Sequence, residues 1–173
     1  MPTDLEVAFG ALTSKKRRYD KFWNYYDGDQ PLIYNSERLR EIFSGLNAKF
    51  TENWCSVVID STLDRVEMQV PRVIGNDRAN TTLRTLWEET GLIDNEYSIH
   101  EDVCVTGESF VIAWPDEQDA RKVQAFHNNA RLVHAEYELD NPRKMRFAAK
   151  WWTDLTGMVR LTLYYPDRLE YYI

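Results

Sequence analysis

The spacing of apolar residues changes once along this chain, and this change limits the possible folds more than any other feature. Up to about Gly107 the apolar residues recur every three or four positions, as in helices with one buried face. From Glu108 onward they recur every second position, as in half-buried strands. Helices followed by strands predict an α+β fold, with N-terminal helices packed on a C-terminal antiparallel β-sheet. We expect residues 1–173 to form a single unit, with 1–107 mainly helical and 108–173 mainly antiparallel strands.

The first predicted helix, residues 3–26, carries the clearest local signals. Thr3 and Glu6 form a capping box at its start, and Asp27-Gly28-Asp29 supplies turn residues after its end. Four consecutive basic residues, Lys15 to Arg18, interrupt the apolar stripe. We interpret them as the solvated middle of the helix, paired with acidic neighbours, although nucleic-acid patches and targeting signals also contain such runs. The stripe consists of Leu5, Ala8, Phe9, Leu12, Tyr19, Phe22, Trp23 and Tyr26.

Capping residues, turn residues and periodicity place the remaining elements. Helices are predicted from Ser36 to about Leu46, Glu52 to about Arg65, Asp77 to Glu89, and about Asp94 to Gly107. Two short strands are predicted at Val66–Val70 and Val73–Ile74. Six strands are predicted in the second half, at Glu108–Trp114, Val123–Phe126, Leu132–Tyr137, Met145–Trp151, Val159–Tyr165 and Leu169–Ile173.

Two polar residues, Asn53 and Asp60, flank an apolar run in the helix predicted from Glu52. They are seven positions apart, so about two turns separate them and they share a face. Thr51 is placed as the N-cap of this helix. From the residues alone we interpret the segment as a central packing helix with two solvated polar residues. The alternative hypothesis is that Asn53 and Asp60 are buried hydrogen-bonding struts between the helical half and the sheet. Its predicted core-facing stripe is Trp54, Val57, Val58 and Ser61.

No motif in the sequence assigns a catalytic site. The chain has no phosphate loop, no Gly-x-Gly-x-x-Gly and no nucleophile elbow. His100 and Cys104 have the spacing for a base–thiol pair or a zinc site, but a structural zinc site needs four ligands, and a core role fits better. His127 and His134 flank Asn128-Asn129 without a third ligand nearby. We therefore predict no catalytic residue, no metal and no cofactor.

Charge and cysteine content narrow the function classes. The net charge of −7 disfavours a general nucleic-acid binder, because phosphate binding needs a basic surface. We interpret the acidic pairs Glu88-Glu89 and Glu101-Asp102 as surface charge. Cys55 and Cys104 form no disulfide framework, so we expect free, buried thiols and a reducing compartment. The 6 Trp, 10 Tyr and 7 Phe residues indicate a large core or an interface, and no apolar run is long enough for a membrane span.

Five motifs follow one another in an order that resembles the portal proteins of long-tailed bacteriophages. Together they cover almost the whole chain, which is similar to the N-terminal wing part of that family. Lys15 to Arg18 departs from the family pattern. The motifs are Tyr25-Tyr26-Asp27-Gly28; Asn53-Trp54 before an apolar helix that ends in Asp60; a helix with Asn80 and Trp87; Gly107-Glu108-Ser109-Phe110-Val111; and Ala148–Trp151 with Leu163–Asp167.

The resemblance implies a structural subunit and no enzyme. Portal subunits form a homo-oligomeric ring, usually of twelve, at one capsid vertex, through which DNA is packaged and ejected and to which the tail attaches. The implied partners are further copies of the chain, capsid and scaffolding proteins, and the terminase and tail adaptors, with DNA passing through without sequence-specific binding. The implied location is the virion, and the host cytoplasm during assembly. As structural family markers we take Asn53, Trp54, Asp60, Gly107 and Trp151.

The last residues bear on how much of such a protein this chain would represent. The sequence stops inside a predicted apolar strand at Tyr171-Tyr172-Ile173, whereas domains usually end in polar, loosely held residues. We therefore expect a truncated chain or one piece of a longer protein. Two alternatives stay open: a small α+β enzyme or ligand-binding domain with an unrecognised site, and a regulatory binding module that uses Lys15 to Arg18.

Overall fold

The computed structural model describes residues 2–29, 38, 41–42, 53–116, 118–119 and 122–173. Within these residues the helices precede the antiparallel strands, so the predicted α+β class is confirmed. The helices are α1 Asp4–Tyr26, α2 Trp54–Leu63, α3 Asp77–Glu89 and α4 Glu96–Thr106, with a 3-10 turn at Ile93–Asn95. The strands are β1 Phe110–Pro115, β2 Val123–Asn128, β3 Val133–Glu138, β4 Asn141–Thr153, β5 Val159–Tyr164 and β6 Leu169–Tyr172.

The strands form two antiparallel sheets. Strands β1 and β2 make a hairpin, and the remaining strands make a meander in the order β3-β4-β5-β6. Each predicted strand of the second half is present within a few residues of its expected bounds. The alternation of apolar residues identified the strands, but it carries no information about which sheet a strand joins.

Helix α1 packs on one face of the four-stranded sheet and forms the main core with it. Ala8 and Leu12 are fully buried against Phe147 and Leu163. The capping box at Thr3 and Glu6 is present as predicted. Burial of one large apolar side chain stabilises a fold by roughly 1.5–3 kcal/mol. The contact between α1 and the sheet therefore contributes substantially to the stability of the fold.

The hairpin β1–β2 lies over the opposite face of the four-stranded sheet. Strand pairing aligns Lys150 with Thr162, and Thr162 with Tyr171, so the three side chains share that face. Ile112 of β1 and Phe126 of β2 line a cleft together with residues of this row. The four-stranded sheet is therefore the middle layer between α1 and the hairpin.

The prediction of two short strands after α2 is wrong. Residues 66–74 contain no strand, and the backbone of Val73 bonds to a side chain instead of a neighbouring strand. Val73 N donates to Asn80 Oδ1 at 2.8 Å, and Asn80 Nδ2 donates to the Val73 carbonyl at 3.1 Å. The helix predicted from Ser36 falls largely outside the described residues, although Arg38, Glu41 and Ile42 are helical.

Gly107 ends α4, as predicted, because the backbone turns into the left-handed region there. Its φ is +89°, which glycine adopts without the steric cost that a Cβ atom imposes. The Gly107 N–H donates to the Val103 carbonyl at 2.9 Å and satisfies one carbonyl of the last turn. Among the described helices, none has the length and apolar character needed to cross a bilayer.

Candidate functional site, two polar centres and an exposed apolar face

Helix α2 presents to solvent the face that we predicted to be buried. Trp54, Val57 and Val58 are 67%, 54% and 64% exposed. The inward side contains Leu63, which is buried, and Asp60, which is half-buried. The i, i+3, i+4 spacing identifies an apolar stripe correctly, but spacing alone does not determine whether that stripe meets the core or the solvent.

The first polar centre joins α1, α2 and α4. Asn53 is the N-cap of α2, so the helix begins two residues later than predicted: its Oδ1 accepts from the Ser56 amide at 3.2 Å. Asn53 Nδ2 donates to the Tyr26 carbonyl at 2.6 Å. The Tyr26 hydroxyl lies 2.8 Å from Asp60 Oδ1, to which it donates, and 3.0 Å from Glu101 Oε1.

These contacts correct one part of the strut hypothesis. Asn53 and Asp60 do act together, because both bind Tyr26, but the described bonds connect helices with each other and not helices with the sheet. The Tyr26 pKa is raised, first by burial and then by the hydrogen bonds to Asp60 and Glu101. The phenol therefore keeps its proton and acts as a donor over the physiological pH range.

We expect Asn53→Ala to lower the free energy of unfolding by about 2–3 kcal/mol, since it removes both a cap and a bond to α1. The matched control is Asn76→Ala at the N-cap of α3, where Oδ1 accepts from the Ala79 amide at 3.0 Å on an exposed helix end. The Asn76→Ala change should lower the free energy of unfolding by about 1 kcal/mol. Urea denaturation of both variants measures the difference, and equal losses would show that the bond to Tyr26 contributes nothing.

The second polar centre is a buried carboxylate, Asp102, in α4. We interpreted Glu101-Asp102 as surface charge, and for Asp102 this is wrong, because the residue is 1% exposed. Its Oδ2 lies 2.8 Å from His127 Nε2 and accepts from the Ala130 amide at 3.2 Å. Its Oδ1 accepts from Asn129 Nδ2 at 2.9 Å. One side chain therefore ties α4 to the end of β2 and to the loop before β3.

The sequence contained a signal for this centre that we did not use. Ile99, Asp102 and Thr106 are the buried residues of α4, and they follow the i, i+3, i+7 spacing of a buried helical face. We considered His127 and His134 only as possible metal ligands, and Asn129 only as part of the loop between them. A carboxylate in a buried stripe, with a histidine elsewhere, also predicts a buried hydrogen-bonded pair.

Burial dominates the electrostatics of Asp102. It raises the pKa of the carboxyl above its ordinary range, while the hydrogen bonds from His127 and Ala130 act in the opposite direction. Both oxygens are engaged by protein donors in a nearly solvent-free position. The arrangement can hold three chain segments together, but it presents no free carboxylate oxygen to a substrate.

The other chemically capable residues are separated in the structure. Cys55 and Cys104 are free as predicted, but both are exposed, so their predicted burial is wrong. His100 lies 3.9 Å from Glu96 and lines a cleft of about 240 Å³, whose lining does not include Cys104. His134 lies 2.9 Å from Glu136. Over the described part of the chain, no cluster of three or more His, Cys, Asp or Glu residues is placed to hold a metal ion.

Two residues of the basic run in α1, Lys15 and Lys16, are paired with acidic side chains, and the run is not uniformly solvated. Lys16 binds Asp20 at 2.7 Å on the surface. Lys15 forms an ion pair with Glu108, and its side chain is only 17% exposed. The Lys15 ammonium also lies 5.0 Å from the centre of the Phe110 ring. Lys15 therefore connects α1 to the start of the hairpin.

The five marker residues do not converge on one site. Asn53 and Asp60 share the Tyr26 centre, whereas Trp54 lies outward on α2 and Gly107 caps α4. Trp151 lies at the edge of the α1–sheet core, where its Nε1 donates to the Arg131 carbonyl at 3.1 Å. The chain matches no protein-family model, and comparison with curated proteins gives no significant match.

Proposed function

We propose that this chain is a structural assembly subunit, namely part of the wing of a tailed-phage portal ring. The observation that carries the proposal is the exposed apolar face of α2, formed by Trp54, Val57 and Val58. Large apolar side chains grouped on one exposed helical face indicate a surface that another protein covers. In a ring, each subunit buries two different patches against its two neighbours, and this face fits one such patch.

The order of the sequence motifs supplies the second support. The Tyr-Tyr-Asp-Gly end of the first helix and the Asn-Trp start of α2 are the motifs that place Asn53 beside Tyr26 and Gly28. The two motifs are thus packed against each other, which gives a physical reason for their joint occurrence. The net charge of −7 also agrees with a channel protein that must not retain DNA.

A regulatory module that binds nucleic acid through Lys15 to Arg18 receives less support. Lys15 and Lys16 are neutralised by Glu108 and Asp20, so half of the basic run is engaged within the protein. Binding to nucleic acid requires Lys or Arg side chains that are free to neutralise phosphate groups. An enzyme receives no support from the Asp102–His127 pair, since Asp102 has both oxygens bonded inside the protein.

The mass of the protein expressed from its complete reading frame tests the proposal. Mass photometry should give a particle of many subunits, with a mass that stays constant on dilution once the ring has closed. A single-subunit mass across the micromolar range would contradict it. Binding of duplex DNA that weakens steeply with salt would instead favour the regulatory module.

A further inference from the structure

The cleft between the hairpin and the four-stranded sheet has the composition of a ligand site. It has a volume of about 250 Å³ and lies on the face of the sheet opposite α1. Its apolar walls come from both sheets: Trp114 and Phe126 on the hairpin, and Trp152 and Tyr164 on the meander. Aromatic rings on two facing walls favour a flat apolar group between them.

One cation lies in this cleft without a counter-ion. Lys150 lines it, and across the described residues no ion pair or hydrogen bond to the Lys150 ammonium is formed. Its Nζ lies 5.9 Å from the centre of the Trp152 ring. Burial lowers the pKa of this ammonium, which is the expected effect of partial desolvation without a compensating anion.

A hydroxyl without a partner lies next to the lysine. Thr162 is paired with Lys150 across β4 and β5, lines the same cleft and is 1% exposed. Its Oγ1 is buried, and no described group forms a hydrogen bond with it. A buried polar group without a partner costs free energy, so one ligand atom that bonds to Oγ1 would recover that cost.

We propose that this cleft binds a small monoanion in which one carboxylate is attached to a flat ring. The two carboxylate oxygens can accept from two donors of the described lining, the Lys150 ammonium and the Thr162 hydroxyl. The ring occupies the space between Trp114 and Trp152. A phosphate dianion fits less well, because the described lining offers one cation and the volume suits a single ring. Binding at this cleft does not depend on ring assembly.

Titration with benzoate, followed by tryptophan fluorescence and calorimetry, tests the proposal. We expect saturable binding that is at least about tenfold tighter than that of benzamide, which lacks the charge, or acetate, which lacks the ring. Lys150→Met should weaken benzoate binding at least about tenfold, and Thr162→Val about threefold to tenfold. Neither change removes a described polar bond of the fold, so both variants should melt no lower than the parent.

The matched control is Lys144→Met on the same strand. Lys144 is 64% exposed, pairs with Glu138 and lies outside the cleft, so benzoate affinity should stay unchanged. Three results would overturn the proposal: no saturation up to about 10 mM benzoate, benzamide binding as tightly as benzoate, or unchanged affinity in Lys150→Met.

Discussion

Replacing Asp102 with alanine is expected to lower the free energy of unfolding by about 2–4 kcal/mol. The carboxylate receives hydrogen bonds from His127, Asn129 and the Ala130 amide, and its removal leaves these donors without their acceptor in a buried place. In a chain of this size such a loss lowers the melting temperature by roughly 5–15 °C. The variant should also loosen the loop before β3, because Asp102 is the side chain that ties this loop to α4.

The control for this substitution is Asp167→Ala. Asp167 is 72% exposed and pairs with the neighbouring Arg168 on the surface. Its removal should change stability by no more than about 0.5 kcal/mol. Denaturant unfolding of the two variants distinguishes a buried polar centre from a surface charge. A loss below about 1 kcal/mol for Asp102→Ala would contradict the role assigned to this carboxylate.

The raised pKa of Asp102 also predicts a pH dependence. The folded protein holds the proton on the Asp102 carboxyl more tightly than the unfolded chain does. The stabilisation that this proton gives to the fold is complete below the unfolded pKa of about 3.9, and it is lost as pH rises through the folded pKa. The Asp102→Asn variant cannot ionise there. We therefore expect the stability of the parent relative to this variant to fall as pH rises from the unfolded pKa through the raised folded pKa of Asp102, and a constant difference from acid to neutral pH would exclude the predicted shift.

The second large effect is expected on assembly. Val58→Asp should abolish formation of large oligomers by the protein from its complete reading frame, while the fold of the subunit stays intact. Val58 is 64% exposed at the centre of the α2 face, so a carboxylate there costs little in the free subunit. In a subunit contact the same carboxylate would be desolvated without a partner, at a cost of several kcal/mol per contact, and a ring contains many such contacts.

The matched control introduces the same carboxylate at a different exposed aliphatic position. Leu155→Asp also replaces an exposed aliphatic side chain by a carboxylate, but it lies in the turn between β4 and β5, away from α2. Mass photometry should give the parental mass for Leu155→Asp and a single-subunit mass for Val58→Asp. If Val58→Asp assembled like the parent protein, the α2 face could not be part of the subunit interface.

Features that depend on neighbouring residues were predictable from the sequence, whereas features that depend on distant partners were not. The capping box at Thr3, the stop at Gly107 and the alternation of Phe147, Ala149 and Trp151 were predicted correctly, because each depends on residues a few positions apart.

The orientation of α2 was not predictable in the same way. Which face of the helix points inward is decided by Tyr26 and Glu101, which lie 34 and 41 positions from Asp60 along the chain. Burial of Asp102 likewise depends on partners 25 to 28 positions away. Helical spacing reports the existence of a face, whereas its direction is set by tertiary partners.

Electron microscopy of the protein expressed from its complete reading frame tests the proposed portal role most directly. Portal assembly predicts closed rings, usually of twelve subunits, with a central channel wide enough for duplex DNA, and no rings for Val58→Asp. Isolated subunits, two-fold dimers or open filaments in the parent protein, over a range of salt and protein concentration, would contradict that role.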